Sequence, residues 1–213
     1  MVLKLHGVSA SICTRRAAIA FKEKNVPYEL IPVNMAKGEH KSPEHLAYQP
    51  FGQIPYLDDD GFILYESRAI TRYIAEKYAS QGTQGLIPTD LKAKALFEQA
   101  VSTELCDFNP PTEGIFYETV VKPIYGLTKD DGRVAEYTKS LLGKLDGYER
   151  VLSKQKYLAG NEITLADLWH LPYGAALKKS GIDVLEDTSR PNVARWWKEL
   201  IERPSWKAVE NGA

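Results

Sequence analysis

At 213 residues the chain is long for one domain and comfortable for two, and a hydrophobic share of 44% is enough to bury a core. A formal net charge of -1 argues against nucleic acid or an anionic membrane as the main partner. Met1 to His6 lacks the apolar core of a signal peptide, no long uncharged apolar run follows, and two cysteines, Cys13 and Cys106, are too few for a disulfide framework or a zinc site, so the chain reads as soluble, intracellular and metal-free.

In chain order, Val2 to Leu5 reads as a strand and Gly7 to Ser11 as a loop of small residues. Thr14 to Lys24 reads as a helix with Ala17, Ala18 and Phe21 inward, ended by Asn25-Val26-Pro27. Tyr28 to Val33 is a second strand, and Asn34 to Pro50 is irregular or weakly helical. Asp60-Gly61 between two short apolar runs is a hairpin signal. After Ser67 the residues Ile70, Tyr73, Ile74 and Tyr78 recur at helical spacing, which places Ser67 where a side-chain oxygen caps a helix. The resulting β-α-β-α-β-β-α order over residues 1–78 matches a thioredoxin-like domain.

That helix start carries the first functional reading. Free N–H groups and a partial positive charge suit a ligand carboxylate held by Ser67. Glu66 beside it would repel an anion unless the ligand also carried a cation, so the implied ligand end is zwitterionic, like a free amino-acid head group. The Ile54-Pro55 bond, in a tight approach to a strand, is a candidate for cis and would turn the Ile54 backbone outward to pair with a ligand's peptide groups. A small peptide with a free amino-acid end fits both features.

Residues 79–90 shift to Ser, Gln, Gly, Thr and Pro, a linker signature, and residues 91–213 are helical in period. Helices are expected at Leu91 to about Asp107, Thr112 to about Lys122, Gly132 to Ser153, Leu165 to Lys179 and Pro191 to Glu202.

Ser11-Ile12-Cys13-Thr14-Arg15-Arg16, Gly38-Glu39-His40-Lys41, Pro50-Phe51-Gly52-Gln53-Ile54-Pro55, Glu66-Ser67-Arg68-Ala69-Ile70 and Leu158-Ala159-Gly160-Asn161-Glu162-Ile163-Thr164-Leu165-Ala166-Asp167 together resemble the cytosolic glutathione transferases, and most closely the phi class. The resemblance implies an α/β thioredoxin-like domain followed by an all-α domain that contributes an electrophile pocket. It implies a transferase that conjugates the glutathione thiol to apolar electrophiles, with glutathione as co-substrate and no other cofactor, working in the cytoplasm as a homodimer. Under it, Ser11 stabilises the thiolate, Glu66 and Ser67 bind the γ-glutamyl end, and Ile54 pairs with the cysteinyl backbone. Gln53, His40 and Lys41 share the γ-glutamyl region and the glycine carboxylate. Ile12, Met35, Phe108, Ile115, Phe116 and Thr119 are the suggested walls of the electrophile pocket, and Tyr65, Arg68 and the helix from Leu91 the candidates to face a second subunit. Many phi members have proline at the place of Ser9; spacing to Thr14 and Arg15-Arg16 favours Ser11 over Ser9.

Several residues have plainer readings. Thr164 and Asp167 read as a capping box, not a catalytic acid. The four tryptophans read as core or interface, His6 and His170 lack a metal-ligand partner at suitable spacing, Arg15, Arg16 and Lys122 read as solvated charges, and Cys106 as a small buried residue. Three functions stay open: a conjugating transferase, a thiol-redox enzyme acting through Cys13, and a noncatalytic carrier of apolar ligands.

Overall fold

The structure, a computed structural model, describes residues 2–213; Met1, the first residue of the stretch read for a leader, lies outside them. The chain divides into two compact units, Met1–Ile87 with Arg203–Ala213, and Pro88–Glu202.

In the first unit, β1 (Leu3–Gly7) pairs in parallel with β2 (Tyr28–Pro32) and antiparallel with β3 (Tyr56–Asp59), which pairs antiparallel with β4 (Phe62–Tyr65), giving the order β2-β1-β3-β4. Asp60 and Gly61, both at positive φ, make the two-residue turn between β3 and β4. Helices α1 (Ile12–Glu23) and α3 (Ser67–Lys77) pack together, and their Ala17, Ala20, Phe21, Ile70 and Ile74 close on Leu3, Leu5 and Leu57 of the sheet. Strand alternation turns His6 and Tyr56 to the opposite face, where their rings stack at 4.2 Å. Asn25, at φ 52, ends α1: the Val26 N–H reaches the Phe21 carbonyl and Pro27 follows. The segment between β2 and β3 holds two 3-10 turns, Met35–Lys37 and Glu39–Lys41, and the short α2 (Pro43–Leu46).

The second unit begins with one helical path from Leu91 to Ile124. It comprises α4 (Leu91–Thr103), a π turn at Glu104–Phe108, α5 (Asn109–Phe116), a π turn at Tyr117–Val121 and α6 (Lys122–Ile124). The break expected between Asp107 and Thr112 is absent. Pro110, Pro111 and Pro123 lack N–H donors, and each π turn lies just before a proline, where the looser i→i+5 pattern absorbs the missing donor and its clash. Cys106 lies within the first π turn and is exposed rather than buried. Helix α7 (Asp131–Leu152) buries Leu141, Leu145, Tyr148 and Leu152. The expected Leu165 to Lys179 helix divides at Trp169-His170 into α8 (Leu165–Leu168) and α9 (Leu171–Lys179), and α10 (Pro191–Ile201) completes the unit. Asp167 is a capping-box residue: it accepts from the Thr164 N–H and hydroxyl, the Leu158 N–H and the Trp196 indole.

The tail departs from the expected 91–213 domain, since Arg203–Ala213, with α11 (Pro204–Lys207), belongs to the first unit. Among the described residues no helix is long and apolar enough to cross a membrane.

Candidate active site

Strand register gathers one end of the sheet. His6, near the C-terminal end of β1, stands opposite Tyr56 at the start of β3, and Tyr56 stands opposite Tyr65 at the end of β4. The loop after β1, the cis Ile54-Pro55 bond before β3 and the Glu66-Ser67 step after β4 therefore meet at the end where α/β sheets hold ligands. Ile54 lies outside the β pairing, which starts at Tyr56.

The Val8 to Ser11 loop closes with the Ser11 N–H donating to the Val8 carbonyl at 2.9 Å. Ser11 is the N-cap of α1, its Oγ accepting from the Thr14 N–H at 3.4 Å. A hydroxyl that accepts still has its own proton to donate, here beside the positive end of a 12-residue helix. The Ser9 proton is already engaged, donating to the Ala213 carbonyl at 3.3 Å.

Ser67 is the first residue of α3 and not its cap. The cap is Glu66, which makes no side-chain cap bond and sits at φ 69, ψ 111, with the Ile70 N–H donating to its carbonyl. This unusual backbone turns the Glu66 side chain into solvent at the helix start and leaves Ser67 buried. Arg16 Nη1 donates to Ser67 Oγ at 3.1 Å and lies 3.5 Å from Cys13 Sγ. The Ser67 hydroxyl, accepting from Arg16, is left as a donor. Arg15 and Arg16 are therefore not solvated charges: both are buried, and burial lowers the Arg15 pKa from its ordinary value.

His40 and Lys41 meet the 51–53 segment. Lys41 Nζ donates to the Phe51 carbonyl at 3.2 Å. A Cβ on Gly52, which sits at φ 60, would fall 2.9 Å from the His40 carbonyl, so the two segments close only around glycine. Burial, together with the Lys41 charge, holds the His40 ring below the usual imidazole pKa, and its Nδ1 is buried without a hydrogen-bond partner among the described residues. Gln49, itself buried, accepts the N–H groups of Phe51 and Gln53 at 2.9 and 3.0 Å, and His45 Nε2 lies 2.8 Å from the Gln53 carbonyl. These two shape the loop that presents Gln53 and Ile54. No local pattern marks them, because their partners are loop backbone groups.

The pocket residues fare unevenly. In the first unit Ile12 is buried in α1 and Met35 is exposed. In the second unit Phe108 and Ile115 have no exposed surface, which makes them core residues and not walls; Phe108 packs on His170 with ring centres 4.5 Å apart. Phe116, half-buried, meets the Tyr173 ring edge-on, and the Thr119 hydroxyl bonds to the Ile115 carbonyl and to Ser180 Oγ.

A thioredoxin-like α/β domain joined to an all-helical domain defines the glutathione transferase fold. The family model for the glutathione S-transferase N-terminal domain matches residues 1–76, and that for the C-terminal domain matches residues 108–204. The chain is 47% identical over 215 residues to glutathione S-transferase PM239X14 of Arabidopsis thaliana, covering 100% of this chain and 98% of that relative. Among solved structures it is similar to glutathione transferase F7 from Populus trichocarpa, with TM-score 0.92, 41% identity and 98% of each chain covered. It is also similar to glutathione S-transferase I from maize in complex with an atrazine glutathione conjugate, with TM-score 0.90, 36% identity, and 98% of this chain and 96% of that one covered. This protein belongs to the glutathione S-transferase family, within its phi class.

Proposed function

We propose that this transferase joins the glutathione thiol to apolar electrophiles, with Ser11 donating a hydrogen bond to the thiolate. The observation that carries the reading is the Ser11 hydroxyl at the N-cap of α1, its proton unspent. A free thiol has a pKa near 8.5, so only a few per cent of it is thiolate at pH 7. Lowering that pKa by about two units takes about 2.7 kcal/mol, within reach of a hydrogen bond to an anion beside a helix start. Serine acts as donor, not base, since its hydroxyl cannot take the proton at this pH.

Glu66 takes the ammonium and Ser67 the carboxylate of the γ-glutamyl end; the outward Glu66 carboxylate and the Ser67 hydroxyl, which accepts from Arg16 and keeps its own proton to donate, support this. The Ile54 backbone pairs with the cysteinyl residue, while Gln53, His40 and Lys41 hold the rest of the peptide. The maize relative's atrazine conjugate supports an apolar electrophile as the second substrate. The active form is a cytoplasmic homodimer.

A redox reading has one observation in its favour, the Arg16 guanidinium 3.5 Å from Cys13 Sγ. Chlorodinitrobenzene conjugation and hydroxyethyl-disulfide reduction separate the readings. Ser11→Ala should cut conjugation at neutral pH and raise the apparent pKa of the pH-rate profile, while Cys13→Ser leaves conjugation nearly intact. Loss of activity in Cys13→Ser but not in Ser11→Ala, with a trapped protein-glutathione disulfide, would replace the transferase by a thioltransferase; absence of both activities would leave a carrier.

A further inference from the structure

The last eleven residues run back along α1 from its end to its start. At the far end, Arg203 and Ser205 bond to the Glu23 carboxylate. Midway, Trp206 and Val209 are buried, the Arg15 guanidinium lies 5.7 Å from the Trp206 ring centre, and its Nη1 donates to the Glu210 carbonyl at 2.9 Å. At the near end, the Ala213 N–H donates to the Ser9 carbonyl at 3.0 Å, and the Ser9 hydroxyl returns a bond to the Ala213 carbonyl at 3.3 Å. A Cβ on Gly212, at φ 155, would overlap Ser9 Oγ, so this approach requires glycine.

Ser9 is the second residue of the turn that closes from Ser11 N–H to Val8 carbonyl. Such a turn is commonly stiffened by proline at that place. Here the Ser9 N–H donates to no backbone or side-chain acceptor among the described residues, and the stiffening comes from outside, through two bonds to Ala213. We infer that Glu210–Ala213 is a positioning element for Ser11: it holds the corner of the Val8 to Ser11 turn so that the Ser11 hydroxyl faces the thiolate. The inference rests on the proposed role of Ser11. Arg15, Gly212 and Ala213 touch no reacting atom and act through the turn.

The experiment compares four chains, the intact protein, Ser11→Ala, a deletion of Glu210–Ala213, and both changes together, with Ser9→Pro added to the deletion as a fifth. Chlorodinitrobenzene kinetics, pH-rate profiles and thermal midpoints are measured on each. The deletion should lower kcat by up to about a hundredfold, the scale on which a misplacement of about 1 Å acts, and raise the apparent pKa, with the KM for glutathione little changed. It should add nothing to Ser11→Ala, and Ser9→Pro should restore most of the lost kcat by stiffening the turn from within. Should the deleted chain fail to fold, Gly212→Val, which wedges Ser9 while keeping Arg15 on Glu210, is read the same way. Unchanged kcat and pH profile while Ser11→Ala loses activity would overturn the tail's role alone, as would a loss that Ser9→Pro leaves unrestored. Full conjugation in Ser11→Ala would remove the serine reading, and this one with it.

Discussion

Glu66 occupies backbone space that a residue with a Cβ enters at a cost of about 1–3 kcal/mol. Strain of this kind persists where the surroundings over-determine it, and here it aims a carboxylate at a helix start that would otherwise suit only anions. Glu66→Gly should relieve it, raising stability by about 1 kcal/mol after the added chain entropy of glycine, while glutathione binding weakens. Thermal unfolding and calorimetric titration measure the two; a loss of stability would show that the Glu66 side chain supports the fold. Ser67 makes a complementary case. Its buried hydroxyl accepts from Arg16 and has one proton to give, so Ser67→Ala should weaken glutathione binding by about 1–2 kcal/mol. A glutathione analogue lacking the γ-glutamyl carboxylate should bind both chains alike.

At the scale of elements, the end of α1 is held by a carboxylate and an ammonium with opposite duties. Lys24 is buried and donates to the carbonyls of Ala79, Gln81 and Thr83, which ties the segment after α3 to the helix end. Glu23 accepts from Arg203 through two bonds of 2.7 Å and from the hydroxyls of Ser205 and Thr83 at 2.5 Å. Burial alone would raise its pKa, but the bonds from Arg203, Ser205 and Thr83 together outweigh it and hold the carboxyl below its ordinary value. Such a group contributes stability that is present above its unfolded pKa near 4.3 and lost as pH falls through the lower folded value. Glu23→Ala should cost about 3 kcal/mol, the scale of a buried pair broken on one side, and should flatten the acid limb below about pH 4. Asp167, fully buried, accepts from four donors in the helical unit. Asp167→Ala should lower the thermal midpoint yet leave the activity of the folded fraction unchanged, whereas a catalytic acid would take the activity with it.

For the whole molecule, acid should act earlier through His170. This ring is fully buried between the Tyr148 hydroxyl at 2.9 Å and the Ala166 carbonyl at 2.8 Å, and burial lowers its pKa. Its neutral form stabilises the fold fully above the unfolded pKa of about 6.5, and that stability is lost as pH falls toward the lower folded value. The thermal midpoint should thus begin to fall below about pH 6.5, and a His170→Gln chain should show a shallower first limb, with the half-buried His6 and His40 rings left to act in the same range. Assembly is the other property of this scale. Leu91, Leu96 and Phe62 are large apolar side chains left exposed on the chain, as expected if a second copy covers some of them. Sedimentation at micromolar protein should show a species of twice 23.9 kDa, and a single monomeric species would end the dimer proposal.

Local chemistry was enough for the features whose partners lie a few residues away. Asp60-Gly61 had to turn, Asn25 had to end α1, and a helix had to start near Ser67, because left-handed turns and helix ends are decided by the residues that form them. Even there the cap fell one residue early, at Glu66, since only the strand it leaves sets its φ. Burial obeys no such local rule. Whether Phe108 lines a cleft or fills a core, whether Cys106 faces in or out, and whether Arg15 and Arg16 are solvated depended on packing. The bond from Ser9 to Ala213 spans 204 positions, and nothing around either residue announces it. Contacts between distant segments form only after the chain has folded, so they belong to the tertiary structure alone.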